Sequence, residues 1–218
     1  ISAVDELHRD ACIADDTWSA LSARFGPQEF LDLLFTIGQY HLLAFALNGA
    51  SAQTLLKPDA AKLAAVGPDS FDVKFATSRG EFLVRIRRGW SPRGADRLYY
   101  LFNAHFYDGI AFYRVVSGFM AQFGAHGDPK VAAEWFNRGI QDEPVKVSNT
   151  RGTLTFANRG PNTRSTQLFI NFGNNAQLDG MGFAPLGSVV TGMAVVDSLY
   201  KGYGEGATRG TGPDQDLI

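Results

Sequence analysis

The sequence predicts a mainly β domain, a barrel or sandwich with helical caps, preceded by a small all-α segment. Three observations point to it. Residues 1–66 contain no strand-like alternation. From Phe71 onward, short β-rich runs are separated by glycine and asparagine. Only two segments in that region have helical character, so strands dominate the layer count. The boundary is expected near Gly67, where Gly67-Pro68 breaks the chain, giving a helical segment over 1–66 and a second domain over 67–218.

The elements follow in order. "SAVDELHRDACIADDTWSALSARF" spaces its apolar residues helically, with Asp15 or Asp16 placed to cap a helix before Trp18. Pro27 opens "PQEFLDLLFTIGQYHLLAFALNGA", which Asn48 and Gly49 are placed to end. The alanine-rich "KPDAAKLAAVG" leads to the Gly67 break. "FDVKFATSRGEFLVRIRR" alternates apolar and polar residues on both sides of Ser78-Arg79-Gly80, the pattern of a β-hairpin. "PRGADRLYYLFNAHF" reads as a helix opened by Pro92. The runs "IAFYRVV", "FMAQFG", "GTLTFAN", "TQLFINFG" and "APLGSVVTG" read as strands, and "GMAVVDSLY" as a final helix.

Composition narrows the function classes. The 218 residues are 45% hydrophobic and 19% charged with a net charge of −2, which gives no electrostatic reason to expect nucleic acid or an anionic membrane as partner. No run of about 18 apolar residues occurs. "LLFTIGQYHLLAFALNGA" is interrupted by Gln39, Tyr40 and His41 and reads as a buried helix. The start "ISAVDELHRD" lacks the basic and apolar regions of a signal peptide, so a cytoplasmic location is expected. The single Cys12 excludes an intrachain disulfide framework. "YGEGATRGTG" follows no strand and is not a phosphate loop. No metal or cofactor is expected.

Two stretches hold candidate chemistry. In "FYRVVSGFMAQFG" the alternation of a strand places Arg114 on one face with Phe112 and Val116, and Met120 on one face with Gln122. Were the two strands neighbours, Arg114, Met120 and Gln122 would line one groove. The pattern equally allows an arginine on a solvated face, paired with a carboxylate. In "GTLTFANRGPNTRSTQLFINFGNNAQLDGMGFAPLG", turn chemistry alone accounts for Gly160-Pro161-Asn162.

The segments "FYRVVSGFMAQFG", "GTLTFANRGPNTRSTQLFIN" and "LDGMGFAPLGSVVTGMAVVDSL", in that order and spacing, resemble the cyclophilin family of peptidyl-prolyl cis–trans isomerases over roughly Asp69 to Tyr203. The resemblance implies an eight-stranded antiparallel barrel capped by two helices, with its site in a groove on the barrel's outer face. It implies that Arg114 is the catalytic arginine and that Gln122 orients arginine and substrate. Phe119, Met120, Phe169 and Leu178 take the place of the apolar walls of the proline pocket. Ala157 and Asn158 correspond to the edge that holds substrate backbone, and Gln167 to a polar residue of the neighbouring subsite. Phe183 stands for the pocket histidine after Leu-Asp-Gly. The expected partners are proline-containing peptides and unfolded proteins.

The departures set further expectations. Tyr113 replaces the histidine that often precedes the arginine. Gln177 replaces a tryptophan before Leu-Asp-Gly, so cyclosporin binding is expected to be weak. Arg159 replaces a small residue and is expected to narrow or charge the adjacent subsite. The end "GTGPDQDLI" comes before the closing strand such a barrel carries. An unpaired edge is a liability. The short "DQDLI" end, the helical segment or a partner covers it, or the chain is a fragment.

"DELHRDACIADDTWSALSARFGPQEFLDLLFTIGQYHLLAFALNGA" resembles the carboxy-terminal helices of the carboxymuconolactone decarboxylase and alkylhydroperoxidase-like families. Redox-active members pair a cysteine with a histidine three residues later, preceded by a glutamate. Around Cys12 those positions are Asp15 and Arg9, so the relay is absent, and His41 reads as a packed histidine. The segment is expected to pack on the barrel or to self-associate. The readings that compete with an isomerase are a proline-segment binding module with little catalysis and, less favoured, a redox or decarboxylase-type enzyme.

Overall fold

The structure, a computed structural model, describes residues 13–26, 28–29, 31–33, 35–36 and 54–203. The chain divides into two compact units, Ile1–Gln53 and Thr54–Ile218. Cys12, His41, the expected helix end at Asn48-Gly49 and the tail beyond Tyr203 lie outside the described residues. No helix among the described residues is long and apolar enough to cross a membrane.

In the smaller unit, helix α1 spans Asp15–Ser22. Its N-cap is Ala14, which makes no side-chain cap bond, so neither aspartate takes the expected capping role. Asp15 and Asp16 instead occupy the first turn, where carboxylates oppose the positive end of the helix dipole. The described residues between 28 and 36 are also helical.

The larger unit opens with helical residues 54–56 and a short helix α2, Ala60–Leu63. Asp59 caps α2 by accepting from the Ala61 and Lys62 backbone N–H groups at 2.8 and 3.2 Å. Leu55 is buried in a cluster with Tyr100, Leu101, Phe106, Val131 and Trp135, and the Trp135 indole donates to the Leu55 carbonyl at 3.0 Å. Leu55 and its neighbours therefore pack against residues 45 to 80 positions further along the chain, and the break expected near Gly67 falls inside this unit.

Seven antiparallel strands make one sheet: β1 Ser70–Thr77, β2 Gly80–Arg87, β3 Arg114–Val116, β4 Met120–Phe123, β5 Thr153–Phe156, β6 Leu168–Asn171 and β7 Pro185–Thr191. Their spatial order is β1-β2-β7-β5-β6-β4-β3. β1 and β2 form the expected hairpin, with Thr77 opposite Gly80 across a two-residue turn and Gly80 at φ 124°. A positive φ of that kind is open to glycine at little cost.

The sheet rolls into a barrel. β1 and β4 stand five strands apart, roughly 24 Å in a flat sheet at about 4.8 Å per step. Yet the rings of Phe75 on β1 and Phe123 on β4 lie 5.6 Å apart, edge to face. Only a curled sheet brings them together, and the enclosed core of Phe82, Val84, Ile86, Leu154, Phe156, Leu168, Ile170 and Leu186 is fully buried. An eighth, closing strand is not among the described residues. The two caps are helix α3, Pro92–Asn103, and helix α5, Met193–Asp197, which set Ala95, Leu98 and Val196 into that core.

A further helix, α4 over Pro129–Phe136, adds to the two that the sequence pattern shows. Asp128 caps it, Pro129 opens it, and it buries Val131 and Trp135 one helical turn apart. Beside it runs a buried ion pair. Glu143 accepts from the Ser91 hydroxyl and from the Arg93 and Gly94 backbone N–H groups at the start of α3. Arg164, with no exposed surface, donates to Glu143 at 3.0 Å and to the Gln141 carbonyl. The pair ties segment 163–167, which borders the site below, to α3.

Candidate active-site groove

The groove begins with the β3–β4 hairpin. A turn with Gly118 at φ 74° joins the strands, and the register places Arg114 opposite Gln122 and Val116 opposite Met120. Alternation sends Val115, Ala121 and Phe123 into the barrel core. Arg114, Val116, Met120 and Gln122 take the other face, away from that core, whereas Phe112, expected beside Arg114, precedes the strand and packs on the core with its ring 4.7 Å from Phe123.

On this face a small apolar cluster forms. Met120, Phe169 and Leu178 are 2%, 5% and 7% exposed, with Val116, Phe119, Ala157 and Phe183 packed around them. Phe169 comes from β6, where it pairs with Gln122 of β4 and Thr155 of β5. Leu178 comes from a 3₁₀ turn, Ala176–Met181, and Phe183 follows it with its ring 5.8 Å from that of Phe169. Asp179 anchors this turn, accepting from the Ser148 hydroxyl and from the backbone and side-chain N–H groups of Asn149. Burial works against the Asp179 charge, but these donors outweigh it and hold its carboxyl below its ordinary value.

A polar line runs along the cluster. Arg114 Nη1 donates to Gln122 Oε1 at 3.2 Å, and Gln122 Nε2 donates to Gln167 Oε1 at 3.1 Å. Gln167 sits one residue before β6, and its backbone carbonyl accepts from the Ala157 N–H at 2.9 Å. That bond holds the Ala157-Asn158 edge beside the glutamines. The chain behind Gln167 comes close to β4: a methyl group on Gly124 would stand 2.4 Å from the Thr166 carbonyl oxygen, and φ there is 101°.

Together these residues line a groove of about 560 Å³. All ten residues singled out in the sequence border it: Arg114, Phe119, Met120, Gln122, Ala157, Asn158, Gln167, Phe169, Leu178 and Phe183. Gln177, in the tryptophan position, is exposed and is not among the lining residues.

The groove also extends past the residues the sequence pattern assigned. Its far half is bordered by Phe106, Ala125, His126, Ala132, Phe136 and Thr163, together with Arg159, the one of these that the sequence already set beside a subsite. The Arg159 guanidinium lies 3.3 Å from the centre of the Phe136 ring and donates to the Phe136 carbonyl at 3.0 Å. This clamp ties the loop after β5 to the end of α4. His126 accepts the Asp128 N–H on Nδ1, and burial pushes its imidazole below the usual histidine value. Helix α4 supplies Ala132 and Phe136, so missing that helix hid this half. The signal for it was Asp128-Pro129 followed by Val131 and Trp135.

Comparison with known proteins agrees with this geometry. The model of the cyclophilin type peptidyl-prolyl cis-trans isomerase/CLD family matches residues 72–215, and the chain belongs to that family. Peptidyl-prolyl cis-trans isomerase CYP18-1 of Arabidopsis thaliana is 32% identical over 134 residues, 59% of this chain and 82% of the relative. Peptidyl-prolyl cis-trans isomerase-like 3 of Rattus norvegicus is 30% identical over 132 residues, 59% of this chain and 81% of the relative. A Cryptosporidium parvum cyclophilin-type isomerase has the same fold, with TM-score 0.54 and 22% identity over 66% of this chain and 90% of that one. The same parasite protein has been solved in the presence of the dipeptide Ala-Pro, with TM-score 0.53, 21% identity, and 66% and 92% covered. The family match begins at Asp72 and leaves the helical unit uncovered.

Proposed function

We propose that the groove accelerates rotation about X-Pro bonds in peptides and unfolded proteins, with Arg114 as the catalytic residue. The observation that carries this reading is Arg114 held by Gln122 at 3.2 Å beside the apolar cluster of Met120, Phe169 and Leu178. Amide resonance sets a barrier of about 18–20 kcal/mol to rotation. As the bond twists, the prolyl nitrogen regains its lone pair and accepts a hydrogen bond it cannot accept while planar. A guanidinium aimed at that nitrogen therefore binds the transition state more tightly than either planar form, which is the condition for catalysis.

The apolar cluster, with Phe119 and Phe183 at its border, clamps the proline ring while the acyl side turns. Ala157 and Asn158 hold substrate backbone, and Gln167 meets the residue before proline. Lowering the barrier by about 7 kcal/mol corresponds to a rate gain on the order of 10⁵. Arginine suits the task because it stays charged and its planar fork can be steered by a neighbouring acceptor. The relative solved in the presence of Ala-Pro supports a proline ligand for this groove.

Arg114→Ala is expected to lower kcat/KM on an X-Pro peptide by about 10²–10³-fold, the cost of one preorganised charged donor, with the fold unchanged by circular dichroism. A variant with the parent rate would overturn the assignment. One observation favours a second reading, a proline-segment binding module: the Arg159–Phe136 clamp charges and narrows the far half of the groove. A protease-coupled isomerisation assay separates the two, because a pure binder shows no acceleration.

A further inference from the structure

Tyr113 precedes β3 and is 2% exposed, yet its phenol reaches the polar line of the groove. Its hydroxyl donates to Gln167 Oε1 at 2.8 Å, the same oxygen that accepts from Gln122 Nε2 at 3.1 Å. Gln122 then turns its own Oε1 to the Arg114 guanidinium. The four side chains form a directed line from Tyr113 to Gln167, to Gln122, to Arg114.

The direction has a physical cause. A primary amide donates at one end and accepts at the other, so its orientation decides what a neighbour meets. The guanidinium only donates, which requires Gln122 to present oxygen to it and nitrogen to Gln167. Gln167 must therefore present oxygen to Gln122. With the Tyr113 hydroxyl as a second donor, that oxygen is held from two sides, and neither a flip nor a swing of Gln167 is free. Burial pushes the Tyr113 phenol above its ordinary value, so it remains a donor throughout neutral pH.

We propose that Tyr113 is a positioning residue for the isomerase: through Gln167 and Gln122 it fixes the orientation of the Arg114 guanidinium toward the substrate. The proposal rests on the catalytic role given to Arg114 above. Tyr113 touches no substrate; its hydroxyl acts on the glutamine pair, donating to Gln167 Oε1 and lying within hydrogen-bonding reach of Gln122.

Tyr113→Phe removes one hydroxyl and keeps the ring. With an X-Pro peptide, kcat is expected to fall about tenfold, the value of one buried hydrogen bond, while KM stays within about twofold because the proline pocket is untouched. The melting temperature and the ring-current-shifted methyl signals of the core are expected to stay put, and the side-chain amide signals of Gln122 and Gln167 to shift. In the Gln167→Ala background the Tyr113→Phe effect on kcat is expected to shrink, since that donor–acceptor link is already cut. An unchanged kcat in Tyr113→Phe, or an equal loss with and without Gln167, would overturn the proposal. A parent protein without isomerase activity, or an Arg114→Ala variant with full activity, would remove the underlying reading instead. An active parent with an inactive Arg114→Ala and a normal Tyr113→Phe would remove the positioning role alone.

Discussion

Arg114 illustrates how little one residue states on its own. Alternation placed it on a strand face with Val116, but the same pattern serves a solvated arginine. Its antiparallel partner supplies what the pattern could not: Gln122 stands directly opposite and offers an amide oxygen to the guanidinium. An amide oxygen orients the planar fork without adding a charge of its own. At the same scale, Gln177 is exposed within the 3₁₀ turn, where a larger apolar ring would add surface next to Leu178. Gln177→Trp is therefore expected to tighten cyclosporin binding, by about tenfold if roughly 50–60 Å² of apolar surface is newly covered. A fluorescence titration of parent and variant checks this, and equal affinities would exclude the position from the ligand surface.

At the scale of elements, the groove depends on pieces that never touch substrate. Segment 163–167 carries Thr163 and Gln167 to the groove, and buried Arg164 between them holds the segment on Glu143. Burial works against the Glu143 charge, but the Ser91 hydroxyl, two N–H groups opening α3 and the Arg164 cation hold its carboxyl below the ordinary 4.5. A carboxyl lowered on folding contributes stability that is full above its unfolded value and is lost as pH falls through the lowered folded value. Stability is thus expected to decline on acidification below about 4.5, and Glu143→Ala to flatten that decline while costing about 3–5 kcal/mol at neutral pH, because buried Arg164 keeps only the longer ion pair with Asp142 at 3.6 Å. Urea denaturation of both proteins between pH 3 and 7 measures the two effects. Helix α4 lies at this scale too. Its cap and opening proline were readable, but eight residues with two buried side chains give too short a period to stand out from the surrounding turns.

At the scale of the whole molecule, two compact units share one chain, and the family match accounts for the larger only. The described helical residues of the smaller unit include Leu31 and Phe35, four apart and 49% and 68% exposed. Residues at that spacing share a helix face. Self-association through these helices is expected, and light scattering coupled to size exclusion should give a mass above 23.7 kDa that falls toward it in Leu31→Glu/Phe35→Glu. A monomer at all concentrations would refute it.

What the sequence determined by itself was local and periodic. The alternation from Phe71, the Ser78-Arg79-Gly80 turn and the opening at Pro92 follow from backbone geometry over a few residues, so they could be read without a partner. The three separated motifs named the family and ten residues of the groove, because those residue types recur at that spacing. Tertiary structure alone decided what lay between the motifs. Tyr113 and Gln167 are 54 residues apart and meet only when β3 and β6 pair on either side of β4, as Arg159 and Phe136 meet only when α4 folds against the loop after β5. Hydrogen bonds and ring contacts act over about 3 to 6 Å in space. Distance along the chain sets no such limit, so these pairings exist only once the strands have paired and α4 has packed.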